Sequence, residues 1–214
     1  MASAQATRYT KNMHSNALIS KHPLISDQVN AQQVSTILDA LQTTVEAGVE
    51  GAVVEFGCYI GTTSLFIRRL LDAAADDRPF HVYDSFEGLP DKAPQDQSVT
   101  GDQFKAGELA VSKKHYLQQF QKAGLRAPFI HKGWFSDLTP DDVPEKIAVA
   151  FLDGDFYESI RDSLRLVLPR MQKGGVIIVD DYAREALPGA ARAVHEIFPA
   201  HRVQTRHNLG IIHT

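Results

Sequence analysis

Apolar and polar positions along the chain alternate between two patterns, the spacing of amphipathic helices and short apolar runs. From Val34 to Val45 apolar residues recur at intervals of three and four, which predicts a helix that ends near Gly48. Similar stripes predict further helices at about 66–74, 109–123, 160–171 and 190–197. Short apolar runs predict strands at about 52–57, 79–85, 127–131, 147–152 and 176–179. Strands that alternate with helices indicate an α/β fold with a parallel sheet.

The end of the chain departs from this alternation. Residues 201–206 and 209–214 read as two strands, joined only by His207 and Asn208. Because a two-residue connection can join only antiparallel neighbours, the sheet is expected to end in a hairpin. We therefore predict a Rossmann-like, seven-stranded, mostly parallel sheet with a C-terminal antiparallel hairpin and helices on both faces.

Two polar stretches lie outside the helix and strand patterns. Residues 1–27 are polar and irregular, which predicts an N-terminal tail or flap ahead of one domain at 28–214. Residues 86–108 form a connection rich in Gly, Pro, Asp and Gln, and connections of this length are commonly lids or disordered. We predict that this connection is a lid that closes over bound ligands.

The composition of the chain limits the kinds of partner that we expect it to bind. The chain of 214 residues is 43% hydrophobic and 22% charged with a net charge of -4, so neither nucleic acid nor an anionic membrane is an expected partner. A small-molecule partner is favoured, and a homo-oligomer is left open. The single Cys58 excludes an internal disulfide. Since the sequence also contains no signal-peptide pattern and no membrane-span pattern, we expect a cytoplasmic protein.

The stretch V-V-E-F-G-C-Y-I-G-T-T at 53–63 reads as strand, tight turn and helix start. In open parallel sheets the first such turn commonly approaches a ligand, and Gly57 and Gly61 suit a close backbone approach. Glu55 is a carboxylate in a strand that would otherwise favour apolar residues, which strengthens the prediction of a ligand site. Thr62 and Thr63 are interpreted either as capping residues or as ligand contacts.

The next two strands end in further candidates. Asp84, followed by Ser85, stands at the tip of the second strand, where an acid can accept hydrogen bonds from both ribose hydroxyls of a nucleoside. A purely turn-forming Asp is the alternative. Trp134 follows the third strand, and it either stacks on an adenine or closes the core.

Five motifs occur in order across residues 53–182: E-F-G-C-Y-I-G, Y-D-S-F-E-G-L-P, G-W-F-S, L-D-G-D-F-Y-E-S and G-G-V-I-I-V-D-D-Y. With them the chain resembles the TylF/macrocin O-methyltransferase family, which are class I S-adenosylmethionine-dependent enzymes. The resemblance implies that Glu55, Gly57, Gly61 and Asp84 bind the cofactor. It also implies a divalent ion, usually magnesium, bound by Asp153, Asp180 and Asp181.

The chemistry of these three carboxylates agrees with that implication. Acids that converge at neighbouring strand ends repel each other unless a positive charge lies between them. Oxygen ligands suit magnesium, and the absence of a Cys or His cluster argues against structural zinc. A metal there would orient a substrate hydroxyl and favour its alkoxide form. The alternative is that these residues are helix-capping acids without a metal.

The acceptor and the general base are less constrained by the sequence. The predicted acceptor is a hydroxyl of a sugar or natural-product scaffold, and Asp153, also assigned to the cofactor pocket, is the first candidate base ahead of His14. Three alternatives stay open: a metal-independent methyltransferase, a catalytically silent nucleoside-binding protein and an NAD-dependent oxidoreductase. The last is disfavoured because the turn is E-x-G-x-x-x-G rather than G-x-G-x-x-G.

Overall fold

The computed structural model describes residues 15–101 and 103–214, with one seven-stranded sheet between two layers of helices. The strands are β1 Ala52–Phe56, β2 Phe80–Asp84, β3 Phe129–Lys132, β4 Ile147–Leu152, β5 Met171–Val179, β6 Gln204–Arg206 and β7 Leu209–His213. Their order is β3-β2-β1-β4-β5-β7-β6. Strands β1 to β5 pair in parallel, and β7 is antiparallel to both β5 and β6. The predicted fold class is confirmed.

The helices cover both faces of the sheet. They are α1, which includes residues 15–21, α2 Ala31–Glu46, α3 Thr62–Ala73, α4 Lys113–Ala123, α5 Tyr157–Val167 and α6 Pro188–His195. Side chains of α2, α3 and α4 pack in one core cluster with Val53 and Val82, whereas those of α5 and α6 pack in a second with Val54 and Tyr83. Neighbouring strand residues therefore alternate between the two cores, as the pleat requires.

Strand order reverses between β1 and β4, which lie side by side at the centre of the sheet. From β1 the chain winds outward to β2 and β3, and it then returns to β4 and continues to β5. This switch point opens a crevice at the carboxyl ends of the strands, where ligands bind in open α/β sheets.

The predicted end of the helix after the fourth strand was wrong. The stripe predicted a helix up to Met171 that Gly174 and Gly175 would stop, but α5 ends at Val167 and Met171 already begins β5. Pro169 explains the early end, because proline lacks the N–H that would continue the helical hydrogen bonds, and Leu168–Arg170 form only a 3-10 turn. Gly174 instead lies inside β5 with a φ of 84°, where the register between β4 and β5 shifts.

Two further boundaries differ from the expectation. Helix α4 begins at Lys113 rather than near Leu109, because Ser112 caps it by accepting a hydrogen bond from the His115 N–H at 3.2 Å. The expected irregular conformation before Asp27 is wrong for the part that the structure describes. Residues 15–21 are helical, and four apolar side chains pack against the first core: Leu18, Ile19, Leu24 and Ile25.

The C-terminal hairpin forms as predicted. His207 and Asn208 have φ values of 50° and 68°, the left-handed conformation of a two-residue turn. Within residues 15–101 and 103–214, no helix is both long enough and apolar enough to traverse a bilayer.

Candidate active site

A cleft lies over the carboxyl ends of strands β1 to β5 and encloses about 740 Å³, part of it open to solvent. Its walls come from segments that follow these strands, from the connection after β2 and from Gln28. The lining residues are Gln28, Gly57, Cys58, Tyr59, Asp84, Ser85, Gly88, Leu89, Pro90, Leu109, Trp134, Phe135, Asp153, Gly154, Asp155, Ser159, Asp181 and Arg184. Six predicted site residues are thus brought together: Gly57, Asp84, Ser85, Trp134, Asp153 and Asp181.

The turn after β1 is shaped by close contact with the turn after β4. A Cβ atom at Gly57, which has a φ of 86°, would lie 1.9 Å from the carbonyl oxygen of Asp153. Only glycine permits both this conformation and this approach. The Asp153 N–H in turn donates to the Phe56 carbonyl at 2.8 Å. The two turns therefore form one rigid floor of the cleft.

The rest of the glycine motif lies behind this floor. Gly61 occupies the N-cap position of α3, so Thr62 is the first residue of the helix rather than its cap. Thr62 is buried, and its hydroxyl donates to the Ser26 hydroxyl at 3.1 Å. Gly61, Thr62 and Thr63 are outside the cleft lining, so their assignment to the cofactor stays a prediction.

Asp84 fixes the glycine turn through its carboxylate. One oxygen accepts hydrogen bonds from the Cys58 N–H at 2.8 Å and the Tyr59 N–H at 3.3 Å, and the other accepts from the Phe86 N–H at 2.6 Å. Each carboxylate oxygen has about two lone-pair sites, so acceptor capacity is left for a ligand. The turn-forming role of Asp84 is observed, and its binding of a ribose stays a prediction that this geometry permits.

Ser85 organises the next turn. Its hydroxyl accepts from the Glu87 N–H at 3.0 Å and donates to the Gly88 carbonyl at 3.3 Å. This side-chain turn sets the direction in which the connection after β2 leaves the sheet.

Glu55 lies beneath the glycine turn rather than in the cleft lining. It is 1% exposed, and its carboxylate accepts a hydrogen bond from the Ser64 hydroxyl at 2.5 Å. Burial raises the pKa of Glu55 to about 8, and the negative charge of Asp84 adds to the rise. Asp153, Cys58 and Tyr116 are the other ionisable groups that face it. Glu55 therefore supports the turn as a buried acid that favours its protonated form.

Aromatic residues after β3 form one wall of the cleft. Trp134 and Phe135 both line it. The Phe135 ring also packs edge-on against Phe56, with 5.2 Å between ring centroids, and it joins the second core cluster. Phe135 thus closes the core, which leaves the Trp134 ring as the candidate for stacking on a ligand.

Four carboxyl groups converge where β4 and β5 end. Burial and the neighbouring carboxylates of Asp180 and Asp155 raise the pKa of Asp153 well above its ordinary range. Burial and the nearby Asp181 do the same to the pKa of Asp155, and burial raises the pKa of Asp180 to about 7. These shifts express the cost of confining like charges in one partly desolvated place.

Part of this charge is balanced within the protein. Asp180, which is 5% exposed, accepts hydrogen bonds on one oxygen from the Gln33 side chain at 3.0 Å and from the Asp181 N–H at 2.8 Å. Asp181 pairs with the Arg184 guanidinium at 3.1 Å. In the described ranges, 15–101 and 103–214, no three Asp, Glu, His or Cys side chains are arranged to hold a metal ion. The three predicted ligands share one neighbourhood, but Asp180 and Asp181 are engaged by protein partners.

Several residues of the cleft were not assigned from the sequence. Gln28 and Arg184 lie in stretches without a motif, and Ser159 lies within an ordinary helical pattern. Asp155 belongs to the L-D-G-D motif, but its position beside Asp153 becomes visible only in the cleft. One backbone feature marks the region: Tyr59, Phe86, Asp155 and Asp181 all have φ values between 46° and 58°. Non-glycine residues in this conformation cluster at functional sites.

The motifs, fold and cleft agree with a comparison against protein families. The model of the macrocin O-methyltransferase (TylF) family matches residues 7–209. The chain belongs to this family. Two relatives of this chain are methyltransferases of bacterial origin. One is the 8-demethyl-8-(2,3-dimethoxy-alpha-L-rhamnosyl)-tetracenomycin-C 4'-O-methyltransferase from Streptomyces olivaceus, and the other is the mycinamicin III 3''-O-methyltransferase from Micromonospora griseorubida.

The first relative is 34% identical over 78% of this chain and 66% of its own length, and the second is 31% identical over 82% and 71%. This chain thus spans about two thirds of the length of the curated relatives it matches. The solved O-methyltransferase NovP is 27% identical, with a TM-score of 0.75 over 86% of this chain and 80% of NovP. The calicheamicin methyltransferase CalS11, at 20% identity and a TM-score of 0.72, shares the fold over 96% of this chain and 91% of CalS11.

Proposed function

We propose that this protein is an S-adenosylmethionine-dependent O-methyltransferase that acts on a hydroxyl of a sugar or natural-product scaffold. Membership of the TylF family supports this proposal, as do relatives named for methyl transfer to such compounds. The observation that carries it is the fixed contact between Asp84 and the backbone of the glycine turn at the switch point of the sheet.

The cofactor would lie across the turn after β1. When bound, it would supply a methyl group on a positively charged sulfur, whose transfer to the acceptor oxygen would release S-adenosylhomocysteine and the hydroxyl proton. Asp84 would accept hydrogen bonds from the ribose hydroxyls, and Trp134 would stack on the adenine from the wall of the same cleft. Gly57 would let the backbone of the turn lie close to the cofactor, and Asp153 would add a carboxylate on the side of β4. Catalysis would depend mainly on this placement of donor and acceptor.

We further propose that Asp153, Asp180 and Asp181 hold magnesium. The donor set fits a hard cation, because the described cluster consists of carboxylates, and burial together with their mutual repulsion raises the pKa values of Asp153 and Asp180. Binding requires that Asp181 exchange the Arg184 guanidinium for the ion and that Asp180 share its oxygens with Gln33. The ion would supply Lewis-acid polarisation of the acceptor hydroxyl.

The proton of the acceptor hydroxyl needs a base within the cleft. Asp153 stays our first candidate, and His14, the second, lies outside the described residues. Asp155 lines the same cleft with a pKa raised by burial and by Asp181. A carboxylate with a raised pKa is the better proton acceptor at neutral pH, so Asp155 joins Asp153 as a candidate.

The alternatives differ in what they require of the cleft. A metal-independent methyltransferase would use the same turn without an ion, and a silent nucleoside-binding protein would bind the cofactor without turnover. An NAD-dependent oxidoreductase would bind NAD at the turn. A cytoplasmic location, the absence of nucleic-acid partners and the oligomeric state stay predictions from the sequence.

Methyl transfer to defined acceptors tests the proposal. Purified protein is incubated with methyl-labelled S-adenosylmethionine and either methyl α-L-rhamnoside or thymidine diphosphate L-rhamnose, before and after exhaustive chelation. We expect labelled sugar ether, its loss on chelation and its return with magnesium. Full activity after chelation would assign the enzyme to the metal-independent class. Cofactor binding without transfer to any hydroxylated acceptor would contradict the enzyme assignment.

A further inference from the structure

The connection between β2 and α4 is fastened to the opposite side of the cleft. Its residue Asp96 is 2% exposed although it lies in a polar stretch. Next to it, the Ser98 hydroxyl donates to the Glu185 carbonyl at 2.6 Å, and the Arg192 guanidinium donates to the Gln95 carbonyl. Three residues within positions 95–98 are therefore tied to α5, α6 or the segment before α6.

Asp96 makes the innermost of these contacts. One carboxylate oxygen accepts a hydrogen bond from the Tyr157 N–H at 2.7 Å, and the other accepts from the Ala93 N–H at 2.9 Å. Tyr157 is the first residue of α5, and the N-cap residue is Phe156, whose ring cannot accept a hydrogen bond. Asp96 therefore serves as the N-terminal cap of α5 from a distant part of the chain. Its negative charge also suits the positive end of the helix dipole.

The neighbouring helix leaves room for this carboxylate. A Cβ atom at Gly189, in the first turn of α6, would lie 1.8 Å from the Asp96 carboxylate oxygen. Apolar contacts close the remaining space, because Leu89 packs with Phe156 and Leu187 in a small third cluster. The position of Asp96 is thus determined by three elements at once: the connection, α5 and α6.

This contact joins two walls of the cleft. Gly88, Leu89, Pro90 and Leu109 line it from the connection, and Asp155 and Ser159 line it from the start of α5. The glycine turn after β1 is held by hydrogen bonds to the Asp84 carboxylate at the end of β2, and these bonds do not involve Asp96. Asp96 can therefore control the spacing of one side of the cleft without touching the side assigned to the cofactor.

We infer that Asp96 is a positioning residue for the methyl acceptor, because it fixes the connection against the start of α5 as one rigid acceptor wall. The inference deepens the proposed function and rests on it. It also limits the predicted lid, because the contacts of 95–98 with α5, α6 and the segment before α6 leave movement to other parts of the connection.

The test compares Asp96→Ala, Asp96→Asn and the control Asp91→Ala, an exposed acid of the same connection. Hydrogen exchange without ligand should show a protected Tyr157 amide in the wild type and faster exchange in Asp96→Ala. Asparagine keeps one acceptor oxygen, so Asp96→Asn should be intermediate and should remain folded. Titration with S-adenosylhomocysteine should give the same Kd in all four proteins.

Kinetics with methyl α-L-rhamnoside provide the second readout. We expect the acceptor KM to rise, or kcat/KM to fall, by about tenfold to a hundredfold in Asp96→Ala, since small displacements at a reacting centre have effects of this size. The KM for S-adenosylmethionine should not change. Unchanged Tyr157 exchange, an unchanged acceptor KM or an equal loss of S-adenosylhomocysteine affinity would overturn the inference. If the wild type transfers methyl to neither sugar probe, the proposed function fails there, and the exchange and binding results alone decide the role of Asp96.

Discussion

Asp84→Asn tests whether the carboxylate holds the glycine turn as the structure indicates. Its two oxygens accept three backbone hydrogen bonds, from the N–H groups of Cys58, Tyr59 and Phe86. Asparagine has one acceptor oxygen, and its second position is an amide nitrogen that only donates. Whichever way the amide is turned, this nitrogen would face a backbone N–H. The variant must therefore lose either the Phe86 bond or both bonds to the glycine turn.

The structure sets the expected magnitude. A hydrogen bond to a charged group contributes about 1.5–3 kcal/mol, and Asp84 is half-buried, so water can replace part of one lost bond. We expect a loss of about 2 kcal/mol in the free energy of unfolding, which corresponds to roughly 4–8 °C in Tm for a domain of this size. If the same carboxylate binds the ribose, affinity for S-adenosylhomocysteine should fall by about tenfold for each 1.4 kcal/mol lost.

Differential scanning calorimetry of the ligand-free protein measures the first effect, and calorimetric titration measures the second. The exposed Asp91 provides the matched control, since Asp91→Asn removes the same charge nearby. A Tm for Asp84→Asn within about 1 °C of the wild type would refute the structural role. Normal S-adenosylhomocysteine affinity in a destabilised variant would refute only the ribose assignment.

Three further substitutions test other parts of the site. Gly57→Ala should lower the free energy of unfolding in urea by about 3 kcal/mol, because the added Cβ would clash with the Asp153 carbonyl oxygen. Gly101→Ala is the control, since Gly101 also has a positive φ but no described atom lies within 4 Å of its Cβ position. Arg184→Gln should tighten magnesium binding about fivefold in calorimetric titration, because it removes a partly exposed ion pair of about 1 kcal/mol and frees the Asp181 carboxylate. Weaker magnesium binding would contradict the idea that Arg184 and the ion compete for Asp181. Glu55→Gln should become progressively more stable relative to the wild type as pH rises from 4.5, the ordinary Glu pKa, to about 8. Over that window the folded wild type holds a proton on Glu55 that the unfolded chain releases. If the unfolding free energies of variant and wild type have the same slope against pH, Glu55 is ionised in the folded protein.

The sequence was sufficient to predict the sheet and the edge of the sheet at which the site lies. Runs such as 147–152 are apolar throughout because a central parallel strand is buried on both faces, and they therefore stand out from helical stripes. The two-residue turn at His207 and Asn208 identified the hairpin. Asp84, Asp153 and Asp181 could be placed in one cleft because the carboxyl ends of parallel strands meet at one edge.

What could not be predicted depends on contacts between distant residues. The Gln33 side chain reaches Asp180 across 147 positions of sequence, and the Asp96 carboxylate reaches Tyr157 across 61. Local patterns carry no information about such pairs. The same holds for Arg184, whose pairing with Asp181 occupies a carboxylate that the motif assigned to a metal.

The central claim is that the cleft at the switch point binds an adenosyl cofactor through Asp84 and the glycine turn. Isothermal titration of the wild-type protein with S-adenosylhomocysteine, NAD and NADP, with and without magnesium, tests it most directly. We predict one S-adenosylhomocysteine bound per chain and no heat from either dinucleotide, with affinity lost in Asp84→Ala. Binding of NAD in place of S-adenosylhomocysteine, or full S-adenosylhomocysteine affinity in Asp84→Ala, would contradict the claim.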